Sequence, residues 1–204
     1  MDKENYSEIH YENIILRGEN YLKDRKKIES QPPILKLHNL TIIDNENYNE
    51  VKSNYQNYLR EGYFNLLVNI KLYKKHYLCV FYGSDDDIKK SDLIREFVDD
   101  YLDQKQYFKI LPSIITENKI LKKIIKKRPV IIGKKTKVLF NKMDSYFEIY
   151  IDLLNSFTIR AAFSLVSKYI SEMIIDLGFI IEGKIEQDLP EKLLCGIRFI
   201  NFKL

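Results

Sequence analysis

The chain has 204 residues, of which 45% are hydrophobic and 13% aromatic, enough to bury the core of one globular domain over residues 1–204. The net charge is only +4 although 30% of the residues are charged, which excludes a global field that would draw the molecule onto nucleic acid. No apolar run approaches the roughly 18 residues that span a bilayer and no apolar signal sequence opens the chain, so we expect a cytoplasmic protein.

The first half of the chain predicts a hairpin and an amphipathic helix. Residues 34–43 read as extended, and 51–59 as a short helix. Residues 63–82 contain two runs of β-branched and aromatic residues around a basic link, which predicts a β-hairpin. After Ser91, apolar residues recur at helical spacing over 92–102, with acids between them.

A lysine-rich element follows. Residues 108–115 are too short to classify, whereas 119–128 place Leu121, Ile124 and Ile125 opposite a row of lysines. This pattern predicts a basic amphipathic helix that ends before Pro129. Further lysines follow in 130–137.

The last third predicts strands around one long helix. Residues 146–153 alternate as a strand, and Ser156 can cap a helix over 156–172. Residues 174–182 read as a strand. Asp188, Pro190 and Glu191 supply helix-start signals for a short helix over 189–194, before a final strand.

Six segments resemble the C-terminal domain family of the plant protein Enhanced Disease Resistance 2. They occur in the order, and close to the spacing, of that family, and together they lie within 15–204: LRGENYLKDRKKIES, LLVNI, FKILP, RPVIIGKK, YFEIYIDLLNS and IIDLGFIIEGKIEQDLPEKLLCGIRF. The stretch before RPVIIGKK departs from the family pattern because it lacks tryptophan and is unusually rich in lysine. In plant relatives, such domains usually follow a pleckstrin-homology domain and a START-type lipid-binding domain. The resemblance therefore implies lipid association through these accompanying domains and not through a motif of the domain itself.

The predicted elements combine into an α+β fold. We expect one mostly antiparallel, curved sheet, built from 63–82, 146–153, 174–182 and the last strand, packed on the long helix 156–172. This outline is similar to START-like folds, which can enclose an apolar cavity. Four residues of the helix would line that cavity: Phe163, Val166, Tyr169 and Ile170.

The lysine-rich element predicts a contact with anionic lipid headgroups. Cations on one side of an amphipathic helix suit such a surface, at about 1 kcal/mol for each lysine near the headgroups. The alternative is a solvated face whose apolar side packs into the core. Nucleic acid is disfavoured because the element has little aromatic interleaving. The predicted contact residues are Lys119, Lys122, Lys123, Lys126, Lys127, Arg128, Lys134 and Lys135.

Four acids could act as paired catalytic carboxylates: Glu148, Asp152, Asp176 and Glu182. The alternative is a scaffold role in which they pair with Arg160, Arg198 or lysines. We favour the scaffold because no nucleophile, glycine-rich cradle or metal-binding histidine accompanies them. No catalytic residue is therefore predicted.

No metal or cofactor is predicted. The acidic stretch Ser84–Asp87 fails as an EF-hand because Lys90 stands where the loop needs glycine. The three histidines are isolated from one another, and the distant Cys79 and Cys195 read as free structural thiols.

The sequence thus predicts a non-enzymatic, intracellular lipid-binding or peripheral-membrane module whose partner is a lipid or membrane surface. Two alternatives remain. One is a protein-interaction domain without lipid. A filled core would favour this alternative, whereas an apolar tunnel would favour lipid binding. The other is a hydrolase that uses the four acids.

Overall fold

A computed structural model describes residues 5–89, 91–100, 105–117 and 129–201. Within these ranges the chain forms twelve strands: β1 (Tyr6–Glu8), β2 (Ile15–Arg17), β3 (Lys27–Glu29), β4 (Lys36–Asp44), β5 (Phe64–Leu72), β6 (Lys75–Gly83), β7 (Phe108–Ile115), β8 (Val130–Ile131), β9 (Lys137–Lys142), β10 (Phe147–Asp152), β11 (Ile174–Ile181) and β12 (Leu193–Ile200).

The α-helices of the described ranges are short: α1 (Tyr21–Asp24), α2 (Tyr48–Ser53), α3 (Asp85–Lys89), α4 (Asp92–Asp99) and α5 (Phe157–Val166). Short 3₁₀ helices connect several elements: Tyr55–Tyr58, Lys105–Tyr107, Ile132–Lys134, Leu153–Asn155, Ser167–Glu172 and Glu186–Asp188.

The strands form two five-stranded sheets rather than the one sheet we expected. Sheet I has the order β1-β12-β11-β7-β8, and sheet II has the order β4-β6-β5-β10-β9, while β2 and β3 form a separate ribbon. Sequence patterns predict strands but not which strands share a sheet, so the two sheets could not be told apart. The α+β class and the mostly antiparallel pairing are confirmed, with one parallel pair between β5 and β10.

The core lies between the facing sides of the two sheets. Its centre is a series of aromatic rings that reaches from sheet II to sheet I. Phe81 of β6 lies 6.3 Å from Phe179 of β11, which stacks at 5.9 Å on Phe108 of β7. Phe97 of α4 contacts Phe108 and Phe147 and closes one side. Such packed rings stabilise the core beyond the area they bury.

The outer face of each sheet is covered as well. On sheet II, Val51 of α2 and Tyr55 of the following 3₁₀ helix are buried against Leu67 and Leu78. On sheet I, the N-terminal segment crosses so closely that a Cβ at Gly196 would lie 2.6 Å from Ile9. Only glycine permits this approach.

The predicted long helix is shorter than expected. Its α-helical part, α5, has 10 residues and continues as the 3₁₀ helix Ser167–Glu172. The hydroxyl of Ser167 donates to the carbonyl of Ser164, a local bond of the kind that disturbs α-helices. The START-like outline stays a prediction.

The predicted short helix over 189–194 is wrong. Leu193 and Leu194 are buried in β12, and Leu189–Pro190 is a cis peptide bond. The side chain of Asp188 accepts the backbone N–H groups of Lys184 and Ile185 instead of capping a following helix. Burial of two leucines in the sheet overrides a helix-start signal that is only local.

Most other predicted elements are confirmed. The hairpin is β5–β6, the helix after Ser91 is α4, and the unclassified segment 108–115 is β7. Ser91 and Ser156 both accept the N–H of the residue three positions later, as capping residues do.

Candidate functional site

Helix α5 has two apolar faces. On the inner face, Val166 and, in the following 3₁₀ helix, Ile170 are buried in the core, where Ile159 and Phe163 also pack. Sequence reasoning identified this inner stripe. The helix is anchored at its start by the Ser156 cap and at its end by the buried strand β11.

The outer face carries a second apolar row, which we call the outer stripe: Phe157, Ala161, Leu165 and Tyr169. The first three recur every fourth residue and so lie on one side of the helix. Phe157 is 78% exposed, Leu165 59% and Tyr169 42%. Exposed apolar residues that are contiguous, unlike scattered ones, mark interaction sites. Sequence reasoning missed this row because the helix was given a single apolar face.

Four exposed cations lie on α5, on the turn after it, or close in the fold to the segment before it. Arg160 and Lys168 are exposed on α5 and the following turn, beside the stripe. Lys135 and Lys137 lie in another segment of the same chain. Between them, the hydroxyl of Thr136 donates to the carbonyl of Asp152, which immediately precedes the turn that leads into α5. None of these four cations has an ion pair with a described residue.

Acids are absent from the sequence on both sides of this surface. Neither 153–171 nor 118–143 contains an aspartate or a glutamate. The turn of the β5–β6 hairpin adds Tyr73, which is 59% exposed and contacts the ring of Phe163 at 6.1 Å. The result is an exposed apolar and aromatic ridge with cations near it and one exposed acid, Glu172, at its far end.

Two of the predicted headgroup-contact residues, Lys134 and Lys135, are exposed near this surface. The other six lie outside the described residues: Lys119, Lys122, Lys123, Lys126, Lys127 and Arg128.

The predicted cavity residues do not share one environment. Val166 and Ile170 are buried in the filled core and Phe163 packs against it, whereas Tyr169 belongs to the outer stripe. Two grooves open at the surface, with volumes of about 330 and 860 Å³, and neither is lined by any of these four residues.

Glu148 is fully buried on the outer face of sheet II and lies in a network of neutral donors. Its carboxyl group accepts from Tyr55 at 2.6 Å, Tyr48 at 2.7 Å and Asn141 at 2.9 Å. Burial, and then the adjacent Glu148, raise the pKa of both tyrosines above the ordinary range, so the hydroxyls remain protonated donors.

The Glu148 network continues to His76. Asn69 donates to the Tyr55 hydroxyl at 2.6 Å, and its oxygen accepts from His76 Nδ1 at 2.9 Å. His76 is fully buried, and its Nε2 has no hydrogen-bond partner among the described residues. Burial, and then the charge of Lys71, lower the pKa of His76, while Asp152 opposes this shift.

Asp176 lies on the outer face of sheet I and forms an ion pair. Arg198 binds it through two parallel bonds of 2.7 and 2.8 Å and also contacts His10 Nδ1 at 2.8 Å. The hydrogen bond to Asp176 raises the pKa of Arg198. This is the arginine partner that the scaffold interpretation named.

Glu182 joins a second ionic group on sheet I. Lys109, which is 5% exposed, lies 2.9 Å from Glu182 and 3.1 Å from Glu191. Arg17 of the ribbon bonds Glu182 at 2.7 Å and the carbonyl of Gly183. Sequence reasoning had read Glu191 as a helix cap, because its partners are distant in sequence.

The four candidate catalytic acids therefore do not form a pair. Glu148 and Asp152 lie on β10 of sheet II, four residues or about 13 Å apart along the strand, whereas Asp176 and Glu182 lie on the opposite face of the molecule, in and directly after β11 of sheet I. Glu148, Asp176 and Glu182 are each occupied by a structural partner.

In the part of the chain that the structure describes, no group of three metal-binding side chains occurs and no helix is long and apolar enough to cross a membrane. Ser84–Asp87 is the start of α3, where Asp87 accepts from the Ser84 hydroxyl at 2.7 Å. Cys79 and Cys195 are buried free thiols, and burial raises the pKa of each.

Comparison with known proteins gives two findings. A family model for the C-terminal region of Protein Enhanced Disease Resistance 2 matches residues 6–202. An Arabidopsis thaliana protein named Enhanced Disease Resistance 2-like is 23% identical over 199 residues, which cover 94% of this chain but only 28% of that relative. No solved structure matches.

Proposed function

Because the chain belongs to the family of the Enhanced Disease Resistance 2 C-terminal domain, for which the fold alone assigns no activity, we propose that it is a non-enzymatic module that binds the surface of anionic membranes through the outer stripe of α5. The stripe lies flat on the membrane surface, and the surrounding lysines contact the headgroups.

The exposure of the outer stripe carries this proposal. Phe157, at 78% exposure, and Leu165, at 59%, are two large apolar side chains that the described residues leave in water. An interfacial helix has this composition, with an apolar row flanked by cations and with aromatic residues at the headgroup level. Arg160 and Lys168 are long enough to reach the headgroups beside the inserted row.

The filled core supports contact at the surface rather than enclosure of a lipid. The aromatic series from Phe81 to Phe108 occupies the space between the sheets. An enclosed acyl chain would need an apolar cavity there.

The environment of the acids supports a role without catalysis. A catalytic carboxylate needs access to substrate, but Glu148 is 0% and Asp176 5% exposed, and both have their hydrogen-bonding capacity engaged by the protein.

A protein-interaction domain without lipid is the second candidate, because the same filled core suits it. In that case the outer stripe would contact a protein, and neither anionic lipid nor the lysines would be required.

Vesicle sedimentation distinguishes the two candidates. The vesicles are phosphatidylcholine alone or with phosphatidylserine. We expect binding only with phosphatidylserine, and a loss of binding in the variant F157S/L165S. The matched control I28S/I185S changes two exposed isoleucines away from the outer stripe, with exposures of 42 and 56%, and should bind as the unmodified protein does.

A charge variant tests the headgroup contact. At about 1 kcal/mol per lysine, K134A/K135A should weaken binding about thirtyfold. The control K26A/K27A removes two exposed lysines from the ribbon region and should have little effect. Equal binding to both kinds of vesicle, or full binding by F157S/L165S, would refute the membrane proposal.

Native mass spectrometry of the purified protein tests enclosure separately. Surface binding predicts the mass of the chain alone. A lipid retained at one per chain would show that a cavity, not the outer stripe, holds it.

A further inference from the structure

The larger groove lies at the opposite end of sheet II from α5. It has a volume of about 860 Å³ and is bounded by the loop 59–63, the turn 143–145 and one side of α3. We call it the acidic groove. Strand β5 runs from this groove to the hairpin turn beside α5, and nine extended residues place the two surfaces about 26 Å apart.

The walls of the acidic groove are apolar. Leu59 and Phe64 are half-buried on one side, while Met143, which is 49% exposed, lies on the other. Tyr63, 41% exposed, stands at the rim. A ligand side chain placed here would remove these four side chains from water.

The rim of the acidic groove carries carboxylates that none of the described residues neutralises. Glu61, Asp85 and Asp144 are exposed, and within the described ranges none of their side chains makes a hydrogen bond or ion pair. This distinguishes them from Glu148, Asp176 and Glu182, whose carboxyl groups have partners in the protein.

Among the described residues, Arg60 and Lys142 line the groove, and both already contact other side chains. Arg60 stacks on the rings of Tyr82 at 3.9 Å and Tyr63 at 4.4 Å. Lys142 is paired with Asp99 at 2.7 Å. Stacking leaves the charge of Arg60 in place, so the described lining sets three unpaired carboxylates against one cation without an ion pair, and the groove presents excess negative charge beside apolar surface.

The groove is held in shape before any ligand binds. Buried Asn65 accepts from the backbone N–H of Arg60 at 2.8 Å and donates to its carbonyl at 3.0 Å, which fixes the loop. Gly62 has φ +75°, a conformation that favours glycine. Gln56 donates to Ser145 at 3.0 Å and joins the two walls. Such a preformed groove lowers the entropic cost of binding.

We infer that the acidic groove binds a basic segment of a partner protein, in which lysine or arginine side chains alternate with an apolar anchor. The cations pair with Glu61, Asp85 and Asp144, and the anchor lies between Phe64 and Met143. Charge complementarity selects this partner over an acidic or neutral one. Because the groove and the outer stripe are at opposite ends, the protein can hold such a partner while α5 faces another surface.

The test uses methionine methyl groups as reporters in NMR spectra of the full chain. Met143 reports on the groove, and Met173, which is 1% exposed and precedes β11, reports on the other end. The probes are three six-residue peptides that alternate phenylalanine with lysine, serine or glutamate. We expect the lysine peptide to shift Met143 and leave Met173 unchanged, with an affinity at least tenfold above that of the serine peptide.

A charge-matched pair of variants completes the test. E61Q/D144N should weaken binding of the lysine peptide about tenfold, whereas E19Q/E29Q, which removes two exposed acids elsewhere, should not. Thermal unfolding of both variants verifies that each is folded. An unshifted Met143, equal binding of the three peptides, or unchanged affinity in E61Q/D144N would each overturn the inference. Vesicle binding is a separate measurement, so its failure leaves this result unaffected.

Discussion

The outer faces of the two sheets bury carboxyl groups in different ways. On sheet II, Glu148 is surrounded by tyrosine hydroxyls and an amide, and no ion pair to it occurs among the described residues. On sheet I, Asp176 and Glu182 are each matched by a cation. A buried carboxyl group can thus be satisfied by several neutral donors or by one charge, and the two arrangements should respond differently to mutation and pH.

The largest effect is expected on sheet I. R198M leaves Asp176 buried without its cation, which should lower the free energy of unfolding by about 3–5 kcal/mol in urea titrations. The double variant D176N/R198M removes both charges and should recover most of this loss. If R198M unfolds at the same urea concentration as the unmodified protein, the ion pair does not stabilise the fold.

The next effect is expected on sheet II. E148Q replaces the carboxyl group that accepts from Tyr48 and Tyr55 by an amide, and it places an amide donor against the donor of Asn141. The free energy of unfolding should therefore fall by about 1.5–3 kcal/mol. The exposed-acid variant E19Q serves as the control in the same titrations. A cost equal to that of R198M would remove the contrast between the two faces.

The pH dependence of stability should come from sheet II as well. The folded pKa of His76 is lowered, so the unfolded chain binds the proton more readily. Stability is therefore fully present above the unfolded value near 6.5 and falls as the pH drops below it, by at most about 1.4 kcal/mol per pH unit. In chemical unfolding between pH 5 and 7, the free energy of unfolding of H76Q should depend less steeply on pH than that of the unmodified protein. An unchanged slope would mean that other groups cause the pH dependence.

The smallest effect is expected at the outer stripe. F157S/L165S changes two side chains that bury little surface in the fold, so its free energy of unfolding should stay within about 0.5 kcal/mol of the unmodified value. Differential scanning calorimetry provides the check. A larger loss would mean that the stripe packs against the protein, which would weaken its proposed role as a contact surface.

Local patterns predicted local structure well. The strand β10, the inner stripe of α5 without Tyr169, and the two serine caps depend on neighbouring residues, and they are confirmed. The division into two sheets and the partners of Glu191 depend on contacts between residues far apart in the chain, which no spacing rule reveals. The exposure of Phe157 was also hidden, because an apolar residue on a helix reads as core until its surroundings are known.

The parallel pairing of β5 with β10 has a consequence for the order of folding. Phe147 is in register with Leu66, so this pair closes a loop of roughly 80 residues, whereas β5 and β6 need only a two-residue turn. Loop-closure entropy delays such non-local contacts. We therefore expect the β5–β6 hairpin to form early, and the 137–152 hairpin to dock onto its edge in a later step.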